Sequence, residues 1–136
     1  MNFHLMVKPE MARQGDVLLI PIGRKPDADD LGKTIKEGKR LVLAHGEATG
    51  HAHAIYPERD VAEQIHANPN PATLYELRNV RKYAPTELEE GMYLEARERC
   101  YLRHEEHETI ALAPGDYVVL RQVEFDGIEE MRRVAD

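Results

Sequence analysis

The stretch CYLRHEEHETIALAPGDYVVLRQVEF, residues 100–125, decides how the rest of the chain is read. Cys100 to Arg103 and Thr109 to Leu112 are short runs rich in apolar residues. Pro114-Gly115-Asp116 is a turn, and Tyr117 to Phe125 is a longer run carrying Val118, Val119, Leu120 and Val123. Runs of about four to eight residues, rich in β-branched and aromatic side chains and cut by Gly and Pro, read as strands. The final third is therefore strand after strand, with His104-Glu105-Glu106-His107 lying between the first two.

Further upstream, Gly15-Asp16 opens the apolar run Val17 to Ile20, which Pro21 and Gly23 close. Leu41 to Ala44 runs into His45, and His51 to Tyr56 is extended, so Gly46 to Gly50 reads as the loop of a hairpin. Thr73 to Leu77 and Met92 to Glu95 complete roughly six to eight strands. Helical signals are few. Glu58 to Ile65 suits one short helix that Pro69 and Pro71 end, Glu87 to Glu90 is a helical or turn-like patch, and Ile128, Met131 and Val134 space a short helix over Gly127 to Val134. Arg24 to Gly38 reads as a solvated connection, and residues 1–12 as a loosely ordered arm. The predicted fold is mainly β: a single small antiparallel β-barrel or β-sandwich with one or two short helices, spanning 1–136.

With 136 residues, 42% apolar and 32% charged, the chain has room for one core. Its 18 Lys and Arg against 25 Asp and Glu give a net charge of -7, which disfavours general nucleic-acid binding, since that affinity rests on neutralising phosphates. No apolar run reaches the roughly 20 residues needed to cross a bilayer, so no membrane partner is expected and the location expected is the cytoplasm. Cys100 is the only cysteine, which excludes an internal disulfide and a zinc site built from several thiolates.

Histidine is the unusual residue: there are seven, and five fall in two clusters, His45, His51 and His53, then His104 and His107. Side chains alternate along a strand, so His51 and His53 project together with Ile55. Leu41, Leu43 and His45 share a face of the preceding strand, and a tight return would bring His45 beside the pair. Ala44, Ala48, Ala52 and Ala54 leave space there. An offset of three puts His104 and His107 on opposite faces of a straight strand, whereas a bend presents both to one side. His104 is the safer choice of the two. Glu47, Glu58, Glu105 and Glu106 are near enough in sequence to supply a carboxylate ligand, a partner for an imidazole N–H, or a base. Each histidine taken singly reads more simply as a hydrogen-bonded strand residue, and HEEH as a solvated turn. It is HGEATGHAH as a set that points to a site. His4 and His66 lack such context.

The segment His51-Ala-His53-Ala-Ile-Tyr-Pro-Glu58 resembles the first motif of the cupins, HxH followed after a few residues by Glu. Gly15-Asp-Val-Leu-Leu-Ile-Pro21-Ile-Gly23 is similar to the first half of their second motif. Here the two come in reverse order, and no histidine follows Gly23. The resemblance spans about thirty residues and implies a small cupin-like β-barrel with a His-rich metal site in which Glu58 is a ligand.

The leading expectation is a metal-binding domain in which His45, His51, His53, His104, His107 and Glu58 are the ligand candidates for a divalent transition metal. Imidazole-rich donors suit Zn, Fe, Mn, Ni or Cu. Two chemistries follow for a small-molecule substrate: hydrolysis, with Glu47 as base and His104 at the catalytic centre, or a two-His-one-carboxylate oxygenase using Glu58. The alternatives are metal-free acid–base catalysis by two histidines on a phosphodiester or ester, and a non-enzymatic module docking on a partner protein. A homodimer remains open.

Overall fold

The computed structural model describes residues 3–36, 41–46, 50–57 and 71–122. Among them are eleven strands: β1 (Phe3–Leu5), β2 (Ala12–Gln14), β3 (Val17–Pro21), β4 (Leu31–Thr34), β5 (Leu41–His45), β6 (Ala52–Tyr56), β7 (Ala72–Arg78), β8 (Glu90–Ala96), β9 (Cys100–Arg103), β10 (Thr109–Leu112) and β11 (Gly115–Arg121). They form a five-stranded sheet ordered β1-β10-β9-β6-β5 and a six-stranded sheet ordered β2-β3-β11-β8-β7-β4. Pairing is antiparallel throughout except where β1 runs parallel to β10. The fold is mainly β and sandwich-like. The barrel alternative does not hold, because β1, β5, β2 and β4 remain edge strands among the described residues.

Alternation along the strands builds the core. In the larger sheet Val17, Leu19, Leu74, Leu94, Tyr117 and Val119 face inward and meet Leu43, Ile55, Cys100, Leu102, Ile110 and Leu112 from the smaller one. Full burial of each large aliphatic side chain contributes about 1.5–3 kcal/mol. Their neighbours Ile20, Leu77, Tyr93, Val118 and Leu120 point the other way and would face water. Instead a turn of 3-10 helix at Val80–Lys82 and the residues after it lay Val80, Tyr83 and Ala84 over them. Both faces of the larger sheet are thus covered at its centre, which explains why Val118-Val119-Leu120 is continuously apolar rather than alternating. Cys100 is fully buried, and burial pushes its thiol up to about 12, so it serves as a core residue.

β1, β2 and β4 carry no strand signal in the sequence because each has only three or four residues (FHL, ARQ, LGKT), too short for alternation to register. Their partners define them. β4 gains its place from β7 inside what reads as a solvated connection, and β1 ties down part of the expected arm by pairing with β10. The Glu87 to Glu90 patch forms bends leading into β8. The helices expected over Glu58 to Ile65 and Gly127 to Val134 lie outside the described residues. No helix among the described residues is long and apolar enough to cross a membrane.

Candidate metal centre

The site grows out of the register between β6 and β9. Ala54 pairs with Arg103 and Ile55 with Leu102, so one further step sets His53 opposite His104. Their ring centroids lie 4.2 Å apart. Beyond His104 the chain bends over 105–107 and turns His107 back, 4.6 Å from His104 and 5.5 Å from His53. The bend removes the opposite-face problem that a straight strand would impose. His53, His104 and His107 each offer a nitrogen within 4.8 Å of the others. His51, His104 and Glu105 form a second group of the same span.

His45 joins neither group. The sequence pattern places it on the face of Leu41 and Leu43, but β5 carries a bulge between Val42 and Ala44. That extra residue puts Ala44 on the core face beside Leu43, and the next residue, His45, falls on the opposite face, paired with Ala52 and exposed. Glu47 and Glu58 lie outside the described residues. His4 is exposed, with Nε2 2.7 Å from Glu10 Oε1.

A strand of the other sheet completes the site. Gln14, at the end of β2, is buried, and its amide nitrogen donates to Leu102 O at 3.1 Å and Glu108 O at 2.9 Å. Both amide hydrogens are committed, so its Oε1 is the group facing His53 Nδ1 at 2.9 Å. Nδ1 must then carry the ring hydrogen, and Nε2 keeps its lone pair. A carbonyl oxygen on the far ring nitrogen is the arrangement that orients a metal-binding histidine. Burial first, and then the neighbouring His104, depress the His53 pKa to about 4, against the weaker pull of Asp16. The ring is neutral at pH 7.

Gly15 follows with φ +60, a backbone conformation that favours glycine. A Cβ there would stand 3.1 Å from His107 Nε2 and 3.1 Å from His53 Cε1, so a side chain would crowd the two rings. Asp16 comes next, its Oδ1 3.7 Å from His53 Nε2 and its Oδ2 accepting Arg121 Nε at 2.8 Å. Burial alone would raise Asp16, but the Arg121 hydrogen bond and charge, with His53 beside it, hold its carboxyl below the ordinary value. Gln14, Asp16 and Arg121 were not found from sequence: a Gly-Asp turn is ordinary at a strand entry, and nothing in it signals a histidine some forty residues away.

On the other side of His104, burial and then His107 lower the His104 pKa. The Glu106 N–H donates to His104 Nδ1 at 3.0 Å, which places the neutral ring's hydrogen on Nε2. Loading an ion on His104 therefore costs this hydrogen bond if Nδ1 is the ligand, and if Nε2 is, the ring hydrogen must move to Nδ1, which breaks the same bond. Glu105 Oε1 accepts the Ala52 N–H at 3.0 Å. Burial works to raise Glu105, yet this bond and the adjacent His51 and His104 leave it below its ordinary value. His51 Nδ1 is buried without a hydrogen-bond partner, although Glu106 Oε2 lies 3.4 Å away.

A cleft of about 400 Å³ borders the site, lined by His107, Gly15, Gln14, Arg13, Glu10 and Ile110 among others. Its size falls within the usual range for small-molecule sites, about 300–1,000 Å³.

Residues 13–122 match the family model described as Domain of unknown function (DUF8820). The chain belongs to this family. The matched span begins at β2 and ends just after β11, so it takes in Gln14, Asp16, both histidine clusters and Arg121. No curated protein and no solved structure shows a significant match to the chain.

Proposed function

We propose that this domain binds a divalent transition metal through His53, His104 and His107 and uses it on a small molecule entering from the adjoining cleft. The observation that carries the reading is Gln14, a buried side chain whose committed amide fixes His53 with its Nε2 lone pair bare, beside two further imidazoles. Three nitrogen donors without a thiolate suit Zn, Fe, Ni or Cu, with Mn binding more weakly. A metal bound there would supply an activated water for hydrolysis. Asp16, ionised and anchored by Arg121, is placed to accept a hydrogen bond from a group bound next to His53. Its lowered pKa suits an acceptor better than a base.

The His53 pKa of about 4, with His104 lowered in the same direction, supports this reading over metal-free acid–base catalysis, which needs a protonated imidazole at working pH. The oxygenase alternative leans on Glu58, and the cupin resemblance uses the same residue, so neither gains support from the described residues. Titration of chelator-treated protein with Zn(II), followed by calorimetry and thermal melting, tests the proposal. Stoichiometric binding with a raised melting temperature is expected, because a ligand of the folded state stabilises it. If Zn, Fe, Mn, Ni and Cu all failed to bind, the proposal would be overturned.

A further inference from the structure

We infer that His104 is shared by two overlapping cation positions of different donor chemistry, a nitrogen-only one with His53 and His107 and a mixed one with His51 and Glu105, occupied one at a time. The inference rests on the metal-binding reading above and adds to it a second position and a basis for metal choice.

The two groups flank His104 on different sides. A Cβ on Gly15 would meet His107 and His53, whereas a Cβ on Gly46 would meet His104 Nε2 at 2.9 Å and His51 Cβ at 3.0 Å. In the mixed group His51, His104 and Glu105 present ligand atoms within 4.8 Å of one another. Two further observations mark it as more than a chance cluster. His51 Nδ1 is buried and makes no hydrogen bond among the described residues, its nearest carboxylate, Glu106 Oε2, standing off at 3.4 Å, so the nitrogen is available to a ligand. Glu105 Oε1 accepts the Ala52 N–H at 3.0 Å, and that bond holds the carboxylate near His51.

Exclusive occupancy follows from the chemistry of the shared ring. A neutral imidazole has one lone pair for a metal, so two ions at once would require its second proton to be lost as well. Two divalent charges this close also repel strongly. The donor sets differ in kind. Three imidazoles favour Zn, whereas two imidazoles with a carboxylate favour harder ions such as Mn(II) and Fe(II). The metal supplied would therefore decide which half of the cluster is used.

The test compares Mn(II), counted by electron paramagnetic resonance of the free ion, with Zn(II), followed by calorimetry, in the full chain. Glu105→Gln keeps an oxygen for the Ala52 N–H, and His51→Asn alters the same position through its half-buried ligand. Each is expected to weaken Mn(II) binding about tenfold or more while leaving Zn(II) within about threefold. His107→Asn is expected to do the reverse, and His104→Asn to weaken both. Unchanged Mn(II) affinity in both Glu105→Gln and His51→Asn, or an equal loss for both metals, would overturn the inference while leaving the nitrogen-only site standing. Failure of wild-type protein to bind Mn(II) while it binds Zn(II) would likewise overturn the inference and leave the nitrogen-only site standing, whereas failure with Zn, Fe, Mn, Ni and Cu alike would remove the metal reading itself.

Discussion

Two polar clusters sit at different places in this sandwich, and they are built on opposite principles. Around Asp30, which is 3% exposed, every acceptor meets a donor: Oδ2 takes Lys82 Nζ at 2.7 Å and the Tyr83 hydroxyl, and Oδ1 takes Asn79 Nδ2 at 2.8 Å. Lys82 adds Asp27 at 3.0 Å, and Arg24 lies over the Tyr83 ring. The Lys82, Tyr83 and Asn79 donors hold the Asp30 carboxyl far below the ordinary range. The cluster is saturated and fastens the 27–31 segment to the turn at 79–83. The histidine cluster instead gathers rings whose nitrogens are only partly paired, with His53 neutral and His51 Nδ1 making no hydrogen bond. Saturated polar groups hold a fold together, whereas incompletely paired nitrogens leave donor capacity for a ligand.

The largest expected effect separates the two at once. His53→Ala is expected to lower Zn(II) affinity by about a thousandfold, because it removes a ligand and strands Gln14 Oε1, measured by calorimetry on folded protein. Comparable affinity in that variant would erase the distinction between the clusters.

The next effect is on stability against pH in the metal-free protein. His53 has a folded pKa of about 4 against 6.5 when unfolded, so between those values the unfolded chain binds more protons. The stability it contributes is complete above about pH 6.5 and is lost as pH falls toward 4, by up to about 3 kcal/mol. His104 shifts the same way. Asp16, Asp30 and Glu105, all lowered, lose their contributions only further down, as pH passes below the ordinary carboxylate range. Urea unfolding at pH 7, 6 and 5 should show a decline that His53→Asn reduces; a flat profile above pH 5 would contradict the depressed pKa.

Gln14→Leu should weaken Zn(II) by about 10–100-fold, the usual cost of losing the partner that orients a ligand. Gln14→Glu should not restore the affinity, since its second oxygen would face the Leu102 and Glu108 carbonyl oxygens, acceptor against acceptor. The smallest effect belongs to the saturated cluster: Asp30→Asn should lower the melting temperature and leave Zn(II) affinity unchanged. A coupled loss of metal binding would mean that the two regions do not act separately.

The strands at 17–21, 41–45, 52–56, 100–103 and 109–112, and β11 from Tyr117, are legible because their apolar runs are bounded by Gly, Pro and polar turns, whereas Gly115 and Asp116, which read as a turn, pair with Ala96 and Glu95 in β11. β1, β2 and β4 are not legible, since strands this short are defined by their partners. The site divides in the same way. His51, His53, His104 and His107 stand out as residues, and the common face of His51 and His53 follows from strand alternation.

From the amino-acid sequence alone came a mainly β chain with two histidine clusters as its chemical centre. The tertiary structure decided which histidines meet. Antiparallel register set His53 across from His104, the bend at 105–107 brought in His107, and one bulged residue in β5 turned His45 away. Gln14 and Asp16 entered from the other sheet, far off in sequence. Alternation along a strand is a local property that composition can reveal, whereas register, bulges and the approach of two sheets are set by the packing of the whole core.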